Sequence, residues 1–255
     1  MSAPAATLRS EWAKLTTVRS TGWTLFAAFA VTVAFGTLVS ALSNSDYDKL
    51  SEQEKLSFDA AGTSFTGGLL GQLAMIAFGV MVIGSEYSTG SIRSSLAAVP
   101  RRGVFYLGKV TVATGAALAV SLATTFVTFF AGQAALGSHS TTLGADNVLR
   151  ATFGAALYMT LMAVFSMGVA TMLRSSIVSM GVLMPFFFLV TQILASVPGA
   201  KKVVRYLPDQ AGAAMVRVVP KQDLPYGAGG GLLIMLAWVA AALLGGYLVL
   251  RNRDA

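Results

Sequence analysis

Residues 68–102 read "GLLGQLAMIAFGVMVIGSEYSTGSIRSSLAAVPRR". The run opens apolar and uncharged, then turns at Glu86 into a short polar, basic insert that ends on Pro100-Arg101-Arg102. The apolar part belongs to an uncharged window, 60–85, and five others follow the same pattern: 20–45, 110–145, 151–173, 175–200 and 224–250. About 20 mainly apolar residues suffice for a helix to cross the roughly 30 Å hydrocarbon layer, and each window is long enough. None alternates at period two, which argues against a β-barrel. The pattern predicts an all-α integral membrane protein, one transmembrane unit over 1–255, with spans near 22–42, 62–84, 108–135, 151–173, 177–197 and 229–250.

Composition agrees. Of 255 residues, 55% are hydrophobic and 11% charged, with mean hydropathy +0.69. Soluble domains carry about 25% charged residues, so this chain cannot cover a water-facing surface. Val39-Ser40-Ala41 resembles a cleavage site, but the apolar stretch of about 20 residues before it exceeds the 7–15 of a secretory signal. With no cysteine, disulfides and thiolate metal sites are excluded. The pI of 9.9 reflects membrane topology rather than a nucleic-acid partner.

Six spans leave both termini on one side. That side gathers Arg9, Lys14, Arg19, Arg93, Arg101, Arg102, Lys109, Arg174, Arg251 and Arg253, against Glu11, Glu86 and Asp254. The first loop on the other side carries Asp46, Asp48, Glu52, Glu54 and Asp59 with only Lys49 and Lys55. The positive-inside rule places the termini and the insert in the cytoplasm of a plasma-membrane protein. Loop 198–228 breaks the rule with Lys201, Lys202, Arg205, Arg217 and Lys221. Its prolines (198, 208, 220, 225) and the apolar run 211–219 predict a structured outer loop dipping into the interface. Before the first span, Leu8, Trp12 and Leu15 recur at helical spacing, predicting an amphipathic interfacial helix over 7–20 with Trp12 as its anchor.

Several chemistries are absent. His139 is the sole histidine and no acidic orienter accompanies it, so neither nucleophilic catalysis nor a histidine metal site is expected. No Asp or Glu falls inside a predicted span, which excludes paired intramembrane acids and disfavours ion coupling. Residues 103–109 fit GxxxxGK, yet Val110 stands where Ser or Thr should ligate magnesium, and no buried strand precedes the loop. Lys109 is read instead as a snorkelling anchor.

Within the insert, Ser88 through Ser91 offer capping groups, and Ile92, Leu96 and Val99 fall on one stripe of a short helix that Pro100 ends. An apolar stripe with a basic flank suits docking in a groove of a cytoplasmic protein. Here the sequence resembles a family. "EYSTGSIRSSLAAVPRR" after a glycine-rich span is similar to the first cytoplasmic loop of permease subunits of type-2 ABC exporters, particularly those of actinobacteria. "LRSEWAKLTTVRS" and "YLPDQAGAAM" are similar to their other segments, so the likeness runs over most of the chain. Ser91 replaces the threonine usual in that pattern.

The resemblance implies a homodimer of permeases, each bound by a separate ATPase subunit that holds the ATP and magnesium, so this chain carries no catalytic residue or cofactor. It implies a coupling helix at 86–102, with Glu86, Tyr87, Gly90, Ile92, Arg93, Leu96, Pro100, Arg101 and Arg102 meeting the ATPase. It also implies a cargo path near the first, second and fifth spans. Gly67 and Gly71 form GxxxG there, Gly181 and Pro185 predict a kink, and Gln72, Phe187 and Gln192 are candidate lining residues. The expected function is ATP-driven export of an apolar or amphipathic drug, peptide or lipid. The alternatives are an ion-coupled carrier, or a non-transporting scaffold or immunity protein.

Overall fold

The computed structural model describes residues 3–99, 101–197, 199–219 and 224–252. Pro100, Pro198, Pro220, Lys221, Arg253 and Asp254, invoked above, lie outside them. All regular structure among the described residues is helical: α1 (Ala3–Thr17), α2 (Arg19–Asp46), α3 (Glu52–Leu56), α4 (Ala60–Ser64), α5 (Gly68–Ser88), α6 (Ser91–Ala98) and α7 (Arg102–Leu136). These are followed by α8 (Val148–Leu173), α9 (Ser176–Pro185), α10 (Thr191–Ser196), α11 (Lys201–Val204), α12 (Pro208–Val216) and α13 (Ala228–Asn252). Six helical segments are long and apolar enough to cross a membrane: Arg19–Lys49, Ala60–Ser88, Arg102–His139, Val148–Leu173, Ser176–Ser196 and Ala228–Asn252. They contain the six predicted spans to within a few residues, save Val197 and the shorter helix start at 68.

The bundle is built around α8. It packs against α5, α7, α12 and α13, and 72% of its apolar window is buried, against 22% for the last two spans. Small residues make this possible, since Gly154, Ala156, Ala163, Gly168 and Ala170 let neighbouring backbones approach closely. Bulky residues fill the rest, with Phe78, Met75, Ile76, Met159, Met162 and Phe165 in one continuous core. The outermost side chains are apolar as well: Trp23, Phe26, Ile177, Val182, Ile193 and Leu233 are exposed, as a lipid-facing surface requires.

Gly67 and Gly71 work within the chain. A Cβ at either would collide with Thr32 of α2, so this GxxxG seats α2 on α5. The fifth span bends as Pro185 predicts: α9 ends there, Phe186–Val190 form a π-turn, and α10 resumes.

α7 has 35 residues, hence about 50 Å of helix, well beyond the hydrocarbon thickness. The excess projects past the layer, and the start of α7 lies at the end of the bundle shared with both termini. At that terminal end, Arg102 Nη1 donates to the carbonyls of Leu250 (2.6 Å) and Arg251 (3.2 Å), joining α7 to α13. At the far end, Arg150 donates to the carbonyls of Met215 and Arg217, and Asp59 Oδ2 accepts from the amide of Val218. Segment 199–219 is thereby held against α4, α8 and α13 as an ordered cap.

Candidate functional site

Four helices converge at the terminal end on a buried set of charges. Glu11 of α1, Glu86 of α5 and Lys109 of α7 are 4%, 6% and 3% exposed, and Lys14 of α1 is half-buried. Lys14 Nζ donates to Glu11 Oε1 (2.9 Å), Glu86 Oε1 (3.0 Å) and Ser95 Oγ of α6 (3.1 Å). Lys109 Nζ donates to Glu86 Oε1 (2.8 Å) and to Glu11 Oε2. Two acids and two bases sum to zero, which is why so much charge tolerates burial. Burial opposes the Lys14 charge, but its hydrogen bonds to Glu11 and Glu86 together outweigh that and hold its pKa above 10.5. Phe105 lies under both ammonium groups, 5.9 Å from Lys14 and 5.6 Å from Lys109. A cavity of about 410 Å³ opens beside the cluster, lined by Leu15, Val82, Ser85, Ser91 and Ser94 among others.

This arrangement corrects three expectations. Lys109 does not snorkel: it lies two turns inside α7 and finds its partners within the protein. Glu86 lies inside the helical segment of the second span, Ala60–Ser88, past the predicted limit at 84, and like Glu11 it is paired with lysine. Glu86 is also turned away from any partner surface, because its burial and two ion pairs consume it. One of its oxygens, Oε2, is buried without a hydrogen-bond partner.

The apolar stripe of α6 points inward too. Ile92 is 2% exposed and joins the main core, while Leu96 and Val99 pack on it. A stripe read as a docking face is here the seam holding α6 to the bundle, since no other apolar surface is available to fix so short a helix. The face turned outward carries Arg93, Ser94, Ala97 and Ala98, with exposed Arg101 beyond. Gly90 begins the helix at φ +70°, a left-handed position natural to glycine, so the expected serine cap is replaced by a glycine hinge. Thr89 Oγ1 donates to the Ser85 carbonyl (2.8 Å) and meets the Ser91 hydroxyl (2.9 Å) and amide (3.4 Å) rather than capping the next turn. Tyr87 is partly buried beneath the Arg174 guanidinium, 5.4 Å from its ring. Along α1, Thr7 and Glu11 face α7 and Leu15 packs on the core, leaving Leu8 and Trp12 exposed at 38% and 54%.

At the far end a second cavity, of about 250 Å³, is enclosed by α2, α4, α5, α7, α8, α10 and α12. Gln72 and Gln192 both line it. Gln72 is buried and accepts a hydrogen bond from the Tyr158 hydroxyl, whereas Gln192 is exposed at the mouth. Phe187 does not line it. It is 1% exposed and packs edge-on against Phe165, with centroids 6.0 Å apart.

Sequence reasoning missed Asp209, which is 5% exposed on α12 and lines this cavity. Its Oδ2 accepts from Gln210 Nε2 (2.9 Å), while Oδ1 is buried with no hydrogen-bond partner. Thr191 is near, but its hydroxyl donates to the Phe187 carbonyl (3.1 Å). Burial pushes the Asp209 carboxyl above the usual carboxylate range, with Gln210 and Thr191 opposing. The available signal was Asp209 in "YLPDQAGAAM", where Pro208 starts a helix and the acid falls in its first turn.

Residues 7–192 match the family model described as ABC-2 family transporter protein. No curated protein matches the chain.

Proposed function

The chain belongs to the ABC-2 family of transporter proteins, and from that premise we propose that it is the permease of an ATP-driven exporter, paired with a second copy of itself and powered by two copies of a separate cytoplasmic ATPase. The observation that carries this reading is the buried charge cluster. It binds α1, α5, α6 and α7 into one block at the terminal end, so a push on α6 is delivered to the second and third spans together. Packed elements transmit motion as rigid bodies, which is what a lever needs.

Within this reading the ATPase meets the outward face of α6 and its basic flank, Arg93 and Arg101, while Glu86, Ile92 and Leu96 brace that face from behind. Leu8 and Trp12 hold α1 in the headgroup layer of the plasma membrane, with both termini cytoplasmic. Gln72 and Gln192 belong to the cargo route, reshaped as the block tilts. The test is co-purification with the cognate ATPase. Arg93→Glu with Arg101→Glu should leave the permease inserted and monodisperse but abolish ATPase capture; undiminished capture refutes the assignment.

One observation favours a second reading, ion-coupled carriage: Asp209 is a buried ionisable group lining the far-end cavity. That reading requires transport to continue with ATP hydrolysis blocked and to stop when the ion gradient is collapsed.

A further inference from the structure

We propose that the far-end cavity is a binding site for cationic amphipathic molecules, a protonated amine on an apolar body, with the Asp209 carboxylate as its counter-charge. As a statement about cargo this rests on the exporter reading; as a statement about binding it does not. A buried carboxylate normally has both oxygens hydrogen-bonded or paired with a base. Asp209 Oδ1 has no partner, and Asp209 forms no ion pair among the described residues. The site therefore lacks a donor. A hydroxyl would satisfy the oxygen but leave the charge; an ammonium supplies both.

The surroundings define the rest of the ligand. Phe65, Leu69, Met159, Ala213 and Val216 give apolar walls, with Gln72, Gln192, Gln210, Thr125 and Tyr158 among the polar residues between them. Apolar lining with a few convergent polar groups is the ordinary composition of a small-molecule site. About 250 Å³ corresponds to roughly eight waters, at about 30 Å³ each, enough for one ring and a short amine-bearing chain. Other charges do not fill the role. The Tyr158 phenol is spent on Gln72. Tyr226 donates to the Arg205 carbonyl, and Arg205 is half-buried with its Nε on the Lys202 carbonyl. Arg217 also lines the cavity and is partly exposed, without an ion pair to Asp209 among the described residues.

The experiment compares 2-phenylethylamine with its neutral isostere 2-phenylethanol, by titration of the full chain in lipid nanodiscs. The wild type should bind the amine at least about tenfold more tightly, and Asp209→Asn should bind the two equally. Equal binding by the wild type, or a preference that survives in Asp209→Asn, overturns the proposal. Acidification gives a readout without mutation. The amine stays charged, the carboxylate does not, so the preference must vanish as pH falls through the raised Asp209 value; a preference constant down to pH 4 also overturns it. ATPase capture is scored on the same samples. Loss of capture by the wild type sinks the exporter reading and leaves the amine preference to be judged separately.

Discussion

Replacing Lys109 by methionine isolates the contribution of the buried cluster, because an unbranched apolar stem is kept while the ammonium, with its charge and its hydrogen bonds, is removed. In the wild type two carboxylates face two ammoniums. After Lys109→Met, Lys14 alone serves both acids, Glu11 Oε2 joins Glu86 Oε2 without a partner, and one net negative charge is left buried. The Lys109–Glu86 contact at 2.8 Å corresponds to about 6 kcal/mol of gross attraction at an effective dielectric of 20. Much of that offsets the desolvation of the lysine, and truncating one partner of a buried pair costs about 3–5 kcal/mol net. The chain has a way to escape the penalty: α1 is a terminal helix that can swing off at Val18 and hydrate Glu11. The loss should therefore appear as local release of α1, up to two or three orders of magnitude in the docked ratio at about 1.4 kcal/mol per tenfold.

Hydrogen exchange across residues 7–17 reads it directly. Lys14→Met is the comparison: it leaves the same net charge but removes a lysine 43% exposed, whose pairs are partly screened by solvent, so it should release α1 less than Lys109→Met does. Glu11→Gln added to Lys109→Met restores neutrality and should recover most of the protection. If Lys109→Met protects α1 as well as Lys14→Met does, or the double variant recovers nothing, the cluster is not what holds the helices together.

Two further outcomes follow from pH. The Lys14 pKa is raised on folding, so its contribution is complete below 10.5 and lost as pH rises through the folded value; a spin label at position 10 of α1 should stay immobile to about pH 10 and loosen above 10.5. Asp209 behaves oppositely, because a raised carboxyl favours the folded state only when protonated. Its penalty grows as pH rises from 3.8, so Asp209→Asn should raise the melting temperature at pH 7, with the gain shrinking toward pH 4; equal melting temperatures at pH 7 contradict the burial.

The spans were legible because uncharged windows and helix length are properties of the chain alone. The kink at Pro185 was legible too, since a missing amide has one local consequence. What escaped the sequence was direction. Ile92, Leu96 and Val99 mark a stripe, and a stripe does not say whether it faces a partner or its own bundle; only the position of α5 and α7 decides that. The charge cluster joins residues 11, 14, 86 and 109, which no local pattern relates. Charges that looked like loop residues and anchors are partners because α1 folds back on α7. Asp209 was hidden likewise, in a proline-rich loop whose burial depends on Arg150 and Asp59 pinning it to the bundle.

The central claim is that α6 lies on the cytoplasmic side and is the surface an ATPase pushes. The chain has no cysteine, so Ser94→Cys on the outward face of α6 gives a single reporter for a membrane-impermeant thiol reagent. The account predicts labelling in inside-out vesicles, none in intact cells, and protection when the cognate ATPase is bound. Labelling of intact cells, or labelling that the bound ATPase leaves unchanged, contradicts it.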